Sequence, residues 1–256
     1  MLPGPILFRR TRADRERRLL TAALHLTLAD EARGMSLREA VKAAGPSPLR
    51  SCVLGTMAFS SGQLPEAERL FSEALAEVRD DPDRQPLAAL IANRLAGTYT
   101  LVGDGEKVMA LGRWALGTGR LDAAAASQTH TLVAIGASQV SGPRAALAEL
   151  GHLDADPARV GPVDVDGLSF RGVFQLLAGQ LDRAVSDMTA SLKMVRQGAA
   201  LTRGLRAYFY VALAQYLAFP ASQGLPQRQP GLSSRNRVPR GTGSSRLRGR
   251  GPADRA

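Results

Sequence analysis

The chain has 256 residues, 45% of them hydrophobic but only 5% aromatic. That suffices for one or two domains with a real core, and it favours small-residue helix packing over β-structure, which draws on β-branched and aromatic side chains. The expected class is all-α. The net charge of +10 suggests nucleic acid until it is divided: residues 219–256 hold eight Arg, no Lys and one acid, Asp254, for +7, and the remaining body is nearly balanced at +3. Charge therefore says little about the folded part. Only three lysines accompany 30 arginines, a codon bias expected of a GC-rich genome.

A single cysteine, Cys52, can form neither an internal disulfide nor a thiolate metal site. It lies in the apolar run "CVLGTMAF", where a buried, inert thiol is expected. No stretch approaches the ~18 apolar residues of a membrane helix. The N-terminus "MLPGPILFRR" puts its apolar run before its arginines, the reverse of a secretory signal. These features imply a cytoplasmic protein with no membrane partner.

In chain order, residues 1–12 are expected to be disordered and residues 13–218 to form one helical array. "DRERRLLTAALHLTLAD" and "SLREAVKAAG" read as a first, degenerate helix pair, with Leu20, Ala23, Leu24 and Leu28 as the apolar stripe. Two clearer repeats follow: "SSGQLPEAERLFSEALAEV" at 60–78 and "LAGQLDRAVSDMTASLKMV" at 177–195. Each places Gly-Gln-Leu at a turn and then a helix. Their stripes, Ala67, Leu70, Phe71, Ala74, Leu75, Val78 and Leu181, Ala184, Val185, Met188, Leu192, Val195, recur at helical period. Each turn is preceded by another apolar helix, "RSCVLGTMAFS" and "GLSFRGVFQLLA".

Weaker copies turn at Gly103 and Gly142, so the four turn glycines lie 41, 39 and 37 residues apart, somewhat longer than the ~34 residues of a tetratricopeptide unit. Small residues in the first helix of each pair (Gly55, Ala96, Gly136, Gly172) are expected to let paired helices approach closely. The predicted architecture is a tetratricopeptide-like helical-hairpin solenoid. Longer connections fall at 79–86 and 152–167, both with Asp and Pro as helix stops and starts.

"ERRLLTAALHLTLAD", "GQLPEAERLFSEAL", "DVDGLSFRGVFQLLAGQLDRAVSDMTASL" and "LRAYFYVALAQYLA" resemble the helical sensor region of large LuxR-type, MalT-like actinobacterial transcriptional regulators. The resemblance covers roughly residues 13–218 and is strongest from 161 to 218. It is one of texture, since such arrays have few fixed residues. It implies an array that senses inducers or mediates self-association, between an ATPase module and a DNA-reading helix-turn-helix. Neither of those is present in the sequence. "GDGEKVMA" at 103–110 lacks the Gly-Lys-Ser/Thr of a phosphate cradle, and the tail has no apolar periodicity for a recognition-helix domain.

Residues 219–256 are low in complexity, rich in Pro, Gly, Ser and Arg, and expected to be disordered. A basic arm with salt-dependent nucleic-acid affinity is one reading, although aromatic stacking platforms are missing after Phe219. The other is a truncated or frameshifted product. A turn glycine is due near 219, and an abrupt switch to Arg, Pro, Gly and Ser is what a reading-frame shift in GC-rich DNA produces. A non-functional gene remnant is a further alternative, its exposed last helix fraying or self-associating.

Catalytic and metal chemistry find no foothold. The three histidines (His25, His130, His152) lie far apart in sequence with no second ligand at helical spacing. The carboxylates of "RDDPDR" and "DADPARVGPVDVDG" read as turn and cap residues. No G-x-S-x-G occurs. We expect no enzyme, no cofactor and no metal. The aromatic cluster Tyr208, Phe209, Tyr210 and Tyr216 reads as core, and Trp114 as packing within its repeat. For a groove taking a protein segment or a small inducer, the expected residues are polar groups on the first helix of each pair: Asn93, Ser169 and Arg206.

Overall fold

A computed structural model describes residues 11–199. Arg206, the aromatic cluster at 208–216 and the basic tail lie outside the described residues. Helices α1 (Arg12–Ala29), α2 (Glu31–Ser36) and α3 (Arg38–Ala43) come first among the described residues. Thr11 and Arg12, assigned from the sequence to a disordered N-terminus, are the N-cap and first residue of α1. Thr11 Oγ1 accepts from the Asp14 amide at 3.2 Å and Asp14 Oδ2 accepts from the Thr11 amide at 3.3 Å, a reciprocal capping box. The second helix of this degenerate pair breaks at Leu37 into α2 and α3. On α1, Leu20, Ala23, Leu24 and Thr27 are buried while Leu28 is 46% exposed. Thr27 replaces Leu28 because Gly34 of α2 presses against its backbone, so close that a Cβ on Gly34 would lie 2.3 Å from Thr27 Cα.

Four hairpins follow: α4 (Pro48–Ser60) with α5 (Leu64–Val78), α6 (Gln85–Val102) with α7 (Gly105–Gly117), α8 (Ala123–Ser141) with α9 (Pro143–Glu149), and α10 (Val165–Leu177) with α11 (Leu181–Arg196). No strand occurs among the described residues. Each helix packs on the next in sequence, and the first helices of successive hairpins also touch, α4 on α6, α6 on α8 and α8 on α10. The described part is all-α, as expected.

The first and last hairpins share one register. Gly62 and Gly179 take positive φ, 73° and 78°, which costs glycine little. The amides of Gln63 and Gln180 then reach back to the Ala58 and Gln175 carbonyls, both at 2.8 Å. Seven residues before each turn glycine stands another glycine, and nine residues after it the side chain that covers it. A Cβ on Gly55 would lie 2.8 Å from the Phe71 ring, and one on Gly172 2.7 Å from Met188 Cγ. In α8 the expected close approach is made elsewhere. Gly136 faces the preceding helix α7, where a Cβ would lie 2.8 Å from the Gly105 carbonyl, not its own partner α9.

The stripe of α5 is buried in full: Ala67, Leu70, Phe71, Ala74, Leu75 and Val78. That of α11 is rotated. Its buried face is Ala184, Asp187, Met188 and Ser191, while Leu181, Val185, Leu192 and Val195 are only half-buried. Polar partners on α10 cause the rotation. Arg171 donates from Nε to Asp187 Oδ2 at 2.6 Å and from Nη2 to Oδ1 at 2.9 Å, with both residues buried. Its Nη1 also donates to the Asp154 carbonyl at 2.7 Å, tying the connection ahead of α10 to the hairpin.

Both long connections contain short 3-10 turns, at Pro82–Arg84, Pro157–Arg159 and Pro162–Asp164. The acids there do act as caps. Asp81 accepts from the Asp83 amide and Asp156 from the Ala158 amide, each at 3.0 Å.

Candidate functional site

The polar groups expected in a groove lie between helices. Asn93 on α6 is 1% exposed and donates from Nδ2 to Thr129 Oγ1 on α8 at 2.7 Å. Ser169 on α10 is also buried and accepts from Ser191 Oγ on α11 at 3.5 Å. These side chains link neighbouring helices rather than face an open surface. Next to Asn93, the enclosed Nε of Arg94 has no hydrogen-bond partner, and burial holds its guanidinium below the usual arginine range.

Cys52 is fully buried, and burial pushes its thiol up to about 12, far from the thiolate a nucleophile needs. The segment at 103–110 is a helix start. Asp104 caps α7 by accepting from the Lys107 amide at 3.2 Å and pairs with Lys107 Nζ at 3.0 Å.

Two of the histidines, 22 residues apart, come together. The rings of His130 on α8 and His152, beyond α9, have centroids 4.5 Å apart. Desolvation, and then the neighbouring His152, lower the His130 pKa, against the opposing pull of Asp164 and Glu149. No group of three or more His, Cys, Asp or Glu among the described residues is arranged to hold a metal ion.

Several clefts open among the described residues. One of about 650 Å³ lies at the α4 and α6 N-termini, floored by Leu20, Leu49 and Leu87 and by three prolines. Its rim charges are largely matched, Glu16 to Arg12 at 2.9 Å and Arg84 to Asp81 at 3.2 Å. A shallower one of about 540 Å³ follows α1 past His25. The third, about 310 Å³, is a slot between the second helices α5 and α7, with α6 as its floor.

The slot has the most defined chemistry. Leu75 and Leu95 are buried beneath it, and Ala76, Ala110 and Leu111 form its walls. At one end the Tyr99 hydroxyl donates to Glu68 Oε1 at 2.9 Å, and Lys107 Nζ sits 4.6 Å from the Tyr99 ring centroid. Burial, then the bond to Glu68, raises the Tyr99 pKa, so the phenol stays protonated and donating. At the other end Arg79 lies over the Trp114 ring, 5.0 Å from its centroid. Trp114 is partly buried against a core cluster that runs from α4 to α8, and its contact with Arg79 reaches the preceding hairpin rather than staying within its own repeat. Lys107 has Asp104 as a counter-charge, whereas no carboxylate among the described residues pairs with Arg79.

Sequence patterning missed this slot because its members are far apart: Glu68 and Tyr99 are 31 residues apart. The one usable signal was Trp114, the chain's single tryptophan. No family model, curated protein or solved structure matches the chain.

Proposed function

We propose that this chain is a non-catalytic helical-repeat binding module, a tetratricopeptide-like array similar to the sensor segment of LuxR-type regulators. The observation that carries this reading is the recurrence of one hairpin register, Gly55–Gly62–Phe71 and Gly172–Gly179–Met188, in helices that pack on their sequence neighbours. Stacked units of this kind build extended surfaces whose clefts lie between repeats, and the clefts named above lie at such junctions. The partner is a protein segment or a small inducer, held without chemical change.

Thermal unfolding of the full chain against a library of metabolites and short peptides tests this. A true ligand at about 100 times its Kd adds about 2.7 kcal/mol to stability, and mass spectrometry should recover it unaltered. A ligand recovered as product overturns the non-catalytic reading. Melting that no compound shifts overturns the binding-module reading.

A further inference from the structure

We infer that the slot between α5 and α7 is a binding site for an amphiphilic carboxylic acid, with its apolar body between the helices and its carboxylate on Arg79. This rests on the binding-module reading and gives it a ligand class. Ser72 and Arg79 are two turns apart on one wall, so the slot runs for roughly 10 Å at 1.5 Å per residue. Its floor is aliphatic and its mouth is lined by the small, exposed Ala76 and Ala110. The small side chains of these alanines leave the mouth open, and the volume of about 310 Å³ is at the small end of ligand pockets.

The two ends differ in what they still offer. Lys107 is engaged by Asp104 and by the Tyr99 ring, and Tyr99 by Glu68. Among the described residues Arg79 has only the face of Trp114, and its planar fork of donors suits a carboxylate. An anion therefore gains a charged partner at the Arg79 end without breaking an existing ion pair. At the other end Glu68 repels a second anionic group, which selects a monoacid over a diacid. The apolar floor excludes small inorganic anions as full occupants, since they leave Leu75 and Leu95 uncovered.

Trp114 reports on the site directly. It is the only tryptophan in the chain, and a ligand that draws Arg79 off its ring alters its emission. The experiment is a fluorescence titration of the full chain with 4-phenylbutyrate and, separately, with the neutral 4-phenylbutan-1-ol. The acid is expected to saturate the signal with about tenfold higher affinity than the alcohol, the scale of one charge-assisted hydrogen-bonded contact. Arg79→Gln should bring the acid down to the alcohol's affinity, and Ala110→Phe should remove both by filling the slot.

Both positions are exposed, and circular dichroism melts of the variants establish that they fold. Equal affinity for acid and alcohol, or unchanged binding in Ala110→Phe, overturns the inference, as does the absence of a saturable signal with the acid. A library compound that stabilises wild type, Arg79→Gln and Ala110→Phe alike removes the slot while leaving the binding-module reading in place.

Discussion

The hairpins α4–α5 and α10–α11 share one turn register but carry different side chains at matching positions. Eight residues before and after the turn glycine, the first hairpin places Leu54 and Leu70, and the last places Arg171 and Asp187. Ten before and twelve after stand Cys52 and Ala74 in one, Ser169 and Ser191 in the other. One backbone plan thus accepts apolar residues in one hairpin and a buried ion pair with a serine pair in the other at the same register positions. The apolar version can be exchanged for other aliphatics at modest cost. The ionic version is directional, and through the carbonyls of Leu153 and Asp154 it also fastens the preceding connection.

The largest test of this contrast is Asp187→Ala. It leaves the Arg171 guanidinium buried without its counter-charge, and about 3–5 kcal/mol of stability should be lost in urea unfolding. The double variant Arg171→Leu with Asp187→Leu transplants the first hairpin's pair into the last. It should recover part of that loss, because an apolar pair replaces the ion pair, but not all, because the Asp154 carbonyl loses its donor. A double variant no more stable than Asp187→Ala would show that the two hairpins are not interchangeable at these positions.

The shared feature of the two hairpins, a glycine beneath a bulky side chain, is tested by Gly55→Ala and Gly172→Ala. The added methyl lies inside contact distance of Phe71 or Met188, and overpacking of this kind costs about 1–3 kcal/mol. Against it stands a gain of about 1 kcal/mol in helix propensity, so each variant should be destabilised by up to about 2 kcal/mol. Phe71→Leu should rescue Gly55→Ala and Met188→Leu should not, since each glycine answers to its own hairpin. Two stabilised variants would remove the close approach as a principle of the repeat.

The same contrast explains how far the sequence could be read. The α5 stripe was legible residue by residue because every buried position from Ala67 to Val78 is apolar. In α11 two of the four buried positions are Asp187 and Ser191, and an apolar period cannot register a face that is half polar. The turn glycines at 62 and 179 were legible because their neighbours repeat. Leu28 was misassigned because Gly34, whose contact fixes the rotation of α1, lies outside that helix. The slot could not be read at all. Arg79 meets Trp114, and Tyr99 meets Glu68, only after three helices have folded, and no local pattern encodes those pairings. Asn93 and Ser169 are legible in the sequence as polar groups on apolar helices, but their partners, Thr129 and Ser191, come from neighbouring helices.

The smallest expected effect concerns the connection that the ionic hairpin anchors. The tilted rings of His130 and His152 meet there, with Glu149 of α9 and Asp164 ahead of α10 as the acids facing them, and with Arg113 of α7 paired to Glu149. Because desolvation and His152 lower the His130 pKa below its ordinary value near 6.5, the unfolded chain binds a proton there more readily than the folded one. Stability then rises with pH in the interval between the folded and unfolded values. The contribution is complete above about pH 6.5 and is lost as acid carries the protein down through the folded value. His130→Gln should flatten this dependence between pH 7 and pH 5 in chemical unfolding, leaving the midpoint at pH 8 nearly unchanged. An equal acid sensitivity in the variant would place the titration elsewhere. If instead His130→Gln also lowers stability at pH 8 by as much as it flattens the acid limb, the ring contact is a packing contact in its own right, and the connection before α10 is held at both ends rather than by Arg171 alone.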